Sequence, residues 1–344
     1  MDLQLGLFPD EVRAHTPASN GAAKGTTVGP AIVGEQALKL AARLPDSLRM
    51  GTSSWSFPGW NGLVYDHRAS EASLARDGLA AYGAHPLLRT VGLDRTYYRP
   101  IPAEEFKKYA EAVPDSFRFL VKADRLTTSP FDPNGYGVRA RNPLFLNPNY
   151  AADRVVGPLV EGLGAKAGPL LFQFPPIPPN LIGGRGRFVE RLHRFTDALP
   201  KGVLYSIELR TPAFLTESYA QMLEATGAVH CFNVHPSMSP LSRQFEVVSP
   251  FYQRALVVRW MLHGALKYAA AKERYEPFDK IVDDDSESRE RITVTVLDAL
   301  IAERPVFVIA NNKAEGSAPR SIFQLADRIG NWCTSTATGE PGAS

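Results

Sequence analysis

From residue 48 onward, short apolar runs alternate with longer stretches whose apolar positions recur every three or four residues. The first pattern marks a buried strand and the second a helix with one face on a core. "LRMGTSSW", "LLRTVGLD", "FRFLVKA", "GPLLFQF", "VLYSIELR", "GAVHCFNV", "ALVVRW" and "PVFVIAN" are predicted strands. Between them, "SEASLARDGLAAYG", "PAEEFKKYAEAV", "YAADRVVGPLVEGLG", "RFVERLHRFTDAL", "TESYAQMLEAT" and "ESRERITVTVLDALIAE" are predicted helices, and "PRSIFQLADRIGNW" follows the last strand. Pro102 suits the first turn of its helix. Two gaps are predicted to be loops: one after the sixth strand with a short helix at most, and a charged one after the seventh. Strands alternating with helices imply parallel βα units, and about eight of them predict an α/β fold, a single TIM-type (β/α) barrel. An open doubly wound sheet is the alternative, and no G-x-G-x-x-G follows a strand to support it.

The flanks lack periodicity. Residues 1–30, rich in Gly, Ala, Thr and Pro, are expected to be a flexible tail, and so are residues 333–344. Residues 31–332 then form one barrel domain. It carries a long Pro-rich loop, 124–149, which fits a lid, a partner surface or a passive insertion.

Polar residues interrupt the strands at particular places. Successive strand side chains point to opposite faces. In "YSIELR", Tyr205, Ile207 and Leu209 share the face expected to meet helices, and Ser206, Glu208 and Arg210 share the inward face. The same parity turns Lys122 and Gln173 inward, and Ser53 and Trp55 onto one face. Asp94, Arg259, Asn311 and Asn312 also fall at strand ends. These are C-terminal ends, the face of such a barrel that carries active sites. Burying unpaired Glu, Lys and Arg costs several kcal/mol each, about as much as a small domain can spare. Either these groups form a self-satisfied ion network closing the barrel top, or a ligand completes the set. Trp55, with Trp60, Tyr97 and Tyr98, fits an aromatic wall beside such a pocket; a packing role for Trp60 fits equally.

Composition adds bounds. With 344 residues, 44% hydrophobic and 22% charged, the chain suits a globular protein with a sizeable core. A net charge of +2 leaves nucleic acid possible but unsupported, and demands no anionic membrane. The two cysteines, Cys231 and Cys333, make no disulfide framework. "MDLQLGLFPDEVR" does not read as a signal peptide, and no run of about 18 apolar residues suggests a membrane span, so a cytoplasmic protein is expected.

Several segments resemble the YecE-like barrels, domain of unknown function 72, from about residue 50 to 332. "GTSSWSFPGWNGLVY" is similar to that family's first-strand signature and "TYYR" to its second-strand motif. "FRFLVKADRLTT", "GPLLFQFPP", "SIELR", "LHG" and "NNKAEGSAP" follow in the family's order. The resemblance implies a TIM-type barrel and supplies no activity. It also exposes departures. Gly92 and Asp94 stand where the family has Glu and Asn, Ser129 replaces a His, and Phe214 replaces a Trp. "RWMLHG" is two residues longer than the family's spacing between Arg and His.

Three chemistries fit these residues. The first is binding, with possible acid/base turnover, of a small anionic or sugar-like molecule. Glu208, Lys122 and Asp94 are then the candidate catalytic groups. Trp55, Tyr98, Arg99, Gln173, Arg210, Arg259, His263, Asn311 and Asn312 are the candidate ligand-binding groups, and "NNKAEGSAPRS" offers a phosphate-type helix start. Asn311 and Asn312 also suit simple loop capping. The second is metal-dependent phosphodiester hydrolysis, with His230, His235, His263, Glu208 and Asp94 as ligand types. "HCFNVH" places His230 and His235 on opposite faces, which opposes it. The third is a non-catalytic binding protein that kept the barrel. No cofactor is expected unless the metal reading holds, the partner is a small molecule, and oligomeric state is left open.

Overall fold

Eight parallel strands close on themselves in chain order. They are β1 (Leu48–Thr52), β2 (Thr90–Leu93), β3 (Arg118–Lys122), β4 (Ala167–Phe174), β5 (Tyr205–Leu209), β6 (Val229–Val234), β7 (Leu256–Trp260) and β8 (Val306–Ala310). β1 seals the ring by pairing with β8 from Leu48↔Val306 to Thr52↔Ala310. The computed structural model describes residues 28–132, 140–250 and 253–338. Helices connect the strands and ring the barrel, which makes this the TIM-type architecture expected from the alternating pattern.

The period of two divides the apolar residues into two cores. Leu120, Leu171, Val229, Cys231, Val257, Phe307 and Ile309 point inward and pack together inside the barrel. Tyr205, Ile207 and Leu209 point outward into the larger cluster shared with the helices. The interior is therefore a filled and mainly apolar core, with Ser206 buried in the layer of Leu171 and Val229, and the charged side chains gather at its C-terminal end. Closure is tight between β1 and β2. Tyr82 Oη bonds Thr52 N, Thr52 Oγ1 and Thr90 O, each at 2.9 Å, and a Cβ on Gly51 would fall 1.7 Å from Thr90 O.

Some elements differ from the expected ones. A helix, Glu35–Arg43, precedes β1; its buried face is Ala37, Leu40 and Ala41, small residues that blur the apolar stripe. The charged loop after β7 contains the helix Tyr268–Tyr275, whereas the short helix Leu241–Val247 after β6 is the one that the expected loop allowed for. "SEASLARDGLAAYG" breaks at Gly78 into Glu71–Asp77 and Leu79–Gly83. Pro102 caps its helix from outside, at the N-cap of Ala103–Glu111.

The tail boundaries also move. Val28 is buried, Gly29 N bonds Asp66 Oδ1 at 3.0 Å, and Pro30 bridges Tyr65, so residues 28–30 belong to the fold. The last helix, Ala318–Thr338, passes the expected boundary at 332. The expected tails at 1–27 and 339–344 lie outside the described residues. Within loop 124–149, Asn142 Nδ2 bonds Leu126 O at 2.7 Å and Ser129 O at 2.8 Å, tying its two ends together. Residues 133–139 lie outside the described residues.

Gly51→Ala should lower stability by about 1–3 kcal/mol, because backbone must move to admit the methyl group. Gly186→Ala, with open space around the added Cβ in the first turn of the helix Arg185–Ala198, is the control expected to be neutral or slightly stabilising. Denaturant melts of both variants check this; equal effects contradict a tight β1–β2 closure.

Candidate functional site at the barrel mouth

Glu208 is the innermost polar group of the C-terminal layer and is fully buried. Its Oε1 accepts from Arg210 Nε at 2.5 Å, and its Oε2 accepts from Arg259 Nη1 at 2.8 Å. Arg259, inward on β7, also donates Nη1 to Gln173 Oε1 at 3.2 Å and Nη2 to the two oxygens of Asp94 at 3.2 and 3.1 Å. Thus β2, β4, β5 and β7 are joined by one guanidinium crossing the interior. Burial pushes the Glu208 carboxyl up, but Arg210 and Arg259 outweigh it, and Lys122 adds to them. The carboxyl is held well below the usual carboxylate range. Burial likewise works against charge on Arg259, and Asp94 and Glu208 outweigh it, so its guanidinium is held more firmly protonated. With both oxygens occupied and no exposure, Glu208 acts here as a fixed anion that aligns two arginines.

Lys122 ends β3 and is 7% exposed. Its ammonium lies 3.9 Å from the centroid of the Tyr97 ring, on the short turn Asp94–Tyr97. Among the described residues it forms no ion pair. Burial brings its pKa down to about 8; Asp94 pulls the other way, and Arg259 adds to the lowering. Thr96 Oγ1 bonds Lys122 O at 2.5 Å and Leu93 O at 2.7 Å, fixing that turn against the end of β3.

Two inward residues of β6 were not singled out from the sequence, although parity within "VHCFNV" places Cys231 and Asn233 beside each other on that face. Cys231 Sγ lies 3.7 Å from Glu208 Oε2, and burial, then Glu208, push its thiol well up, so it stays protonated. Asn233 pairs in register with Arg259 and is 1% exposed. Among the described residues, both its amide nitrogen and its amide oxygen lack a partner. Leaving such a group unsatisfied costs about 1–3 kcal/mol.

The remaining candidates divide. Asn311 joins the mouth: its Nδ2 bonds Ser53 Oγ at 2.7 Å, and its Oδ1 caps Lys313 N at 2.9 Å. Asn312 turns away, and its Oδ1 accepts from Trp60 Nε1 at 3.3 Å and from Ala318 N at 2.8 Å. The helix start after β8 is thereby satisfied from within. Trp55 does not line the mouth. β1 ends at Thr52, so strand parity does not extend to it; its Nε1 bonds Leu74 O at 3.0 Å and its ring meets Tyr109 edge-on at 5.7 Å. Trp60 is buried and packs on Phe57. Tyr98 is half-buried against Tyr97, and Arg99 is exposed. His263 sits past β7, where its backbone N bonds Lys313 O at 3.0 Å.

His230 points away from the interior and bonds Tyr219 Oη at 2.9 Å and Gln244 Oε1 at 3.3 Å. His235 lies beyond the end of β6, with Ser237 Oγ at 2.8 Å. Among the described residues, no three His, Cys, Asp or Glu side chains gather as a metal ion would need. A separate groove of about 550 Å³, lined by residues such as Glu217, Glu224, Glu246 and Arg254, lies between the helices Glu217–Thr226 and Leu241–Val247, outside the barrel.

Residues 49–342 match the family described as "Protein of unknown function DUF72". The chain belongs to the DUF72 family. Two solved DUF72 family proteins share its fold. The one from Enterococcus faecalis V583 is 18% identical, with 82% of this chain and 94% of that one covered and a TM-score of 0.55. The one from Thermotoga maritima MSB8 is 20% identical, with 82% and 98% covered and a TM-score of 0.54. No curated protein matches this chain in sequence. Family membership fixes the barrel, and the site chemistry of this DUF72 protein has to come from its own residues. Among the described residues, no helix is long and apolar enough to cross a membrane.

Lys122 supplies a stability test. The folded state holds its amine with a pKa of about 8, against 10.5 for an ordinary lysine. Below about pH 8 both states are protonated and the folded one carries the full penalty; between 8 and 10.5 the penalty fades. Lys122→Met should therefore stabilise the protein at pH 7 by about 3 kcal/mol, at 1.36 kcal/mol per pKa unit. That gain should shrink steadily from pH 8 to 10.5. A loss of stability at pH 7 would show that the lysine is a structural partner instead.

Proposed function

We propose that the barrel mouth binds a small anionic molecule bearing a phosphate or carboxylate. Arg210, Lys122 and Asn233 are its contacts, and Glu208, Arg259 and Asp94 form the frame that holds them. The reading rests on one observation. Lys122, Arg210 and Arg259 face two carboxylates, Glu208 and Asp94, and among the described residues the buried amide of Asn233, beside Arg259 in register, has no partner. One positive charge is left over beside unmatched hydrogen-bonding groups, and an anion with hydrogen-bonding oxygens supplies both needs. The C-terminal end of the strands is also where barrels of this type take their ligands. Glu208 then serves as a positioning residue, and its depressed pKa leaves it ionised and unable to exchange protons near neutral pH.

Phosphate or citrate, compared with chloride at equal ionic strength, should raise the melting temperature. A ligand at 100 times its Kd adds about 2.7 kcal/mol to native-state stability. Arg210→Ala should remove that increment while Glu208 keeps Arg259 as its partner. An equal shift in the variant overturns the assignment of Arg210.

A further inference from the structure

We infer that Lys122 is a nucleophilic amine that forms an imine with an aldehyde or ketone carrying an anionic group, the anion resting against Arg210. This rests on the anion-binding reading above and names the substrate class of the same site.

The inference starts from how Lys122 differs from other buried lysine stems. Lys166 is also largely covered, and it is fully engaged: its Nζ bonds Ala110 O at 2.8 Å and Val113 O at 2.7 Å and pairs with Asp115 at 3.1 Å. Lys122 has a tyrosine face and no carboxylate within ion-pair reach among the described residues. The charged groups around it come from three strands. Asp94 follows β2, Glu208 and Arg210 end β5, and Arg259 lies on β7. Both carboxylates are taken by Arg259, and Glu208 also by Arg210, so neither is placed to neutralise the lysine. A desolvated lysine next to other cations is the setting in which an amine becomes nucleophilic. With its pKa brought down to about 8, about a tenth of the amine is free at pH 7, several hundred times the fraction of an ordinary lysine.

The chemistry balances without a cofactor. The free amine's lone pair attacks the carbonyl carbon, forming the C–N bond as the C=O π bond breaks, and one amine proton passes to the oxygen. The second amine proton passes to the resulting hydroxyl, which leaves as water as nitrogen forms the C=N bond. Tyr97 covers one face of the amine, and Arg210 is among the cations close enough to act on it, so a substrate anion paired with Arg210 brings its carbonyl to the lysine.

Glyoxylate, a small aldehyde bearing a carboxylate, is the probe, and sodium cyanoborohydride reduces the imine to a stable secondary amine. Peptide mapping of the intact protein should show Lys122 labelled at least about tenfold faster than any other lysine at pH 7, with a rate that rises to a plateau above about pH 8. Glycolaldehyde, similar in size but uncharged, should label it more slowly, and phosphate should protect it. Lys122→Arg, which keeps the charge, should lose the fast phase. Uniform labelling of lysines, or a fast phase retained in Lys122→Arg, overturns the proposal. If phosphate still raises the melting temperature while Lys122 stays unlabelled, the imine falls and the anion seat stands. If Lys122 is labelled fast but phosphate neither stabilises nor protects, the nucleophile stands and the seat falls.

Discussion

One carboxylate, Glu208, is gripped at both oxygens by Arg210 and Arg259 inside the barrel, where its side chain is fully buried. An ion pair taken out of water returns its desolvation cost only when its geometry is good and its remaining hydrogen bonds are satisfied. Here the condition is met by reach. Arg259 extends from β7 across to Glu208 on β5, Gln173 on β4 and Asp94 after β2, so four strands far apart in sequence share one guanidinium. Below this layer the interior is filled and mainly apolar, with Ser206 as a buried polar exception. The ionic layer is therefore the boundary between packed core and mouth, and it sets the orientation of everything above it.

The layer is only partly satisfied. Both Glu208 oxygens and both terminal nitrogens of Arg259 have partners, whereas among the described residues Arg259 Nε and the Asn233 amide have none, and Lys122 rests on an aromatic face. A purely structural network would be expected to close these too, since a partly satisfied polar network is worse than an apolar one. Uncompensated groups held rigidly beside a satisfied frame are what a binding site for a charged ligand requires.

Much of this was legible from the sequence. Period-two alternation placed Lys122, Gln173 and Glu208 inward, and the polar interruption of an apolar strand marked Arg259 at the same end, because each lies within a strand or at its last residue. Parity did not carry to Trp55, which lies past the end of β1, and position at a strand end did not carry to Asn312, which lies past β8 where the chain has left the pleat. Asn233 was available to the parity argument within "VHCFNV", where the neighbouring histidines drew attention instead. The partnerships were not available at all: that Glu208 satisfies both arginines depends on distances across the barrel, which no local pattern encodes. The helix Tyr268–Tyr275 was hidden by composition, since "YAAAKERY" buries only Ala271 and Tyr275 and offers little apolar periodicity.

The most direct test of the central claim is the equilibrium denaturation of Glu208→Gln beside the wild type at pH 7. The substitution keeps the side chain's shape and removes its charge. A frame held by Glu208 predicts a loss of about 3–5 kcal/mol, the usual consequence of stranding buried guanidinium groups. Unchanged or increased stability would contradict the account, because it would make the Glu208 charge a burden on the fold, as expected of an acid/base group rather than of the strut that aligns Arg210 and Arg259.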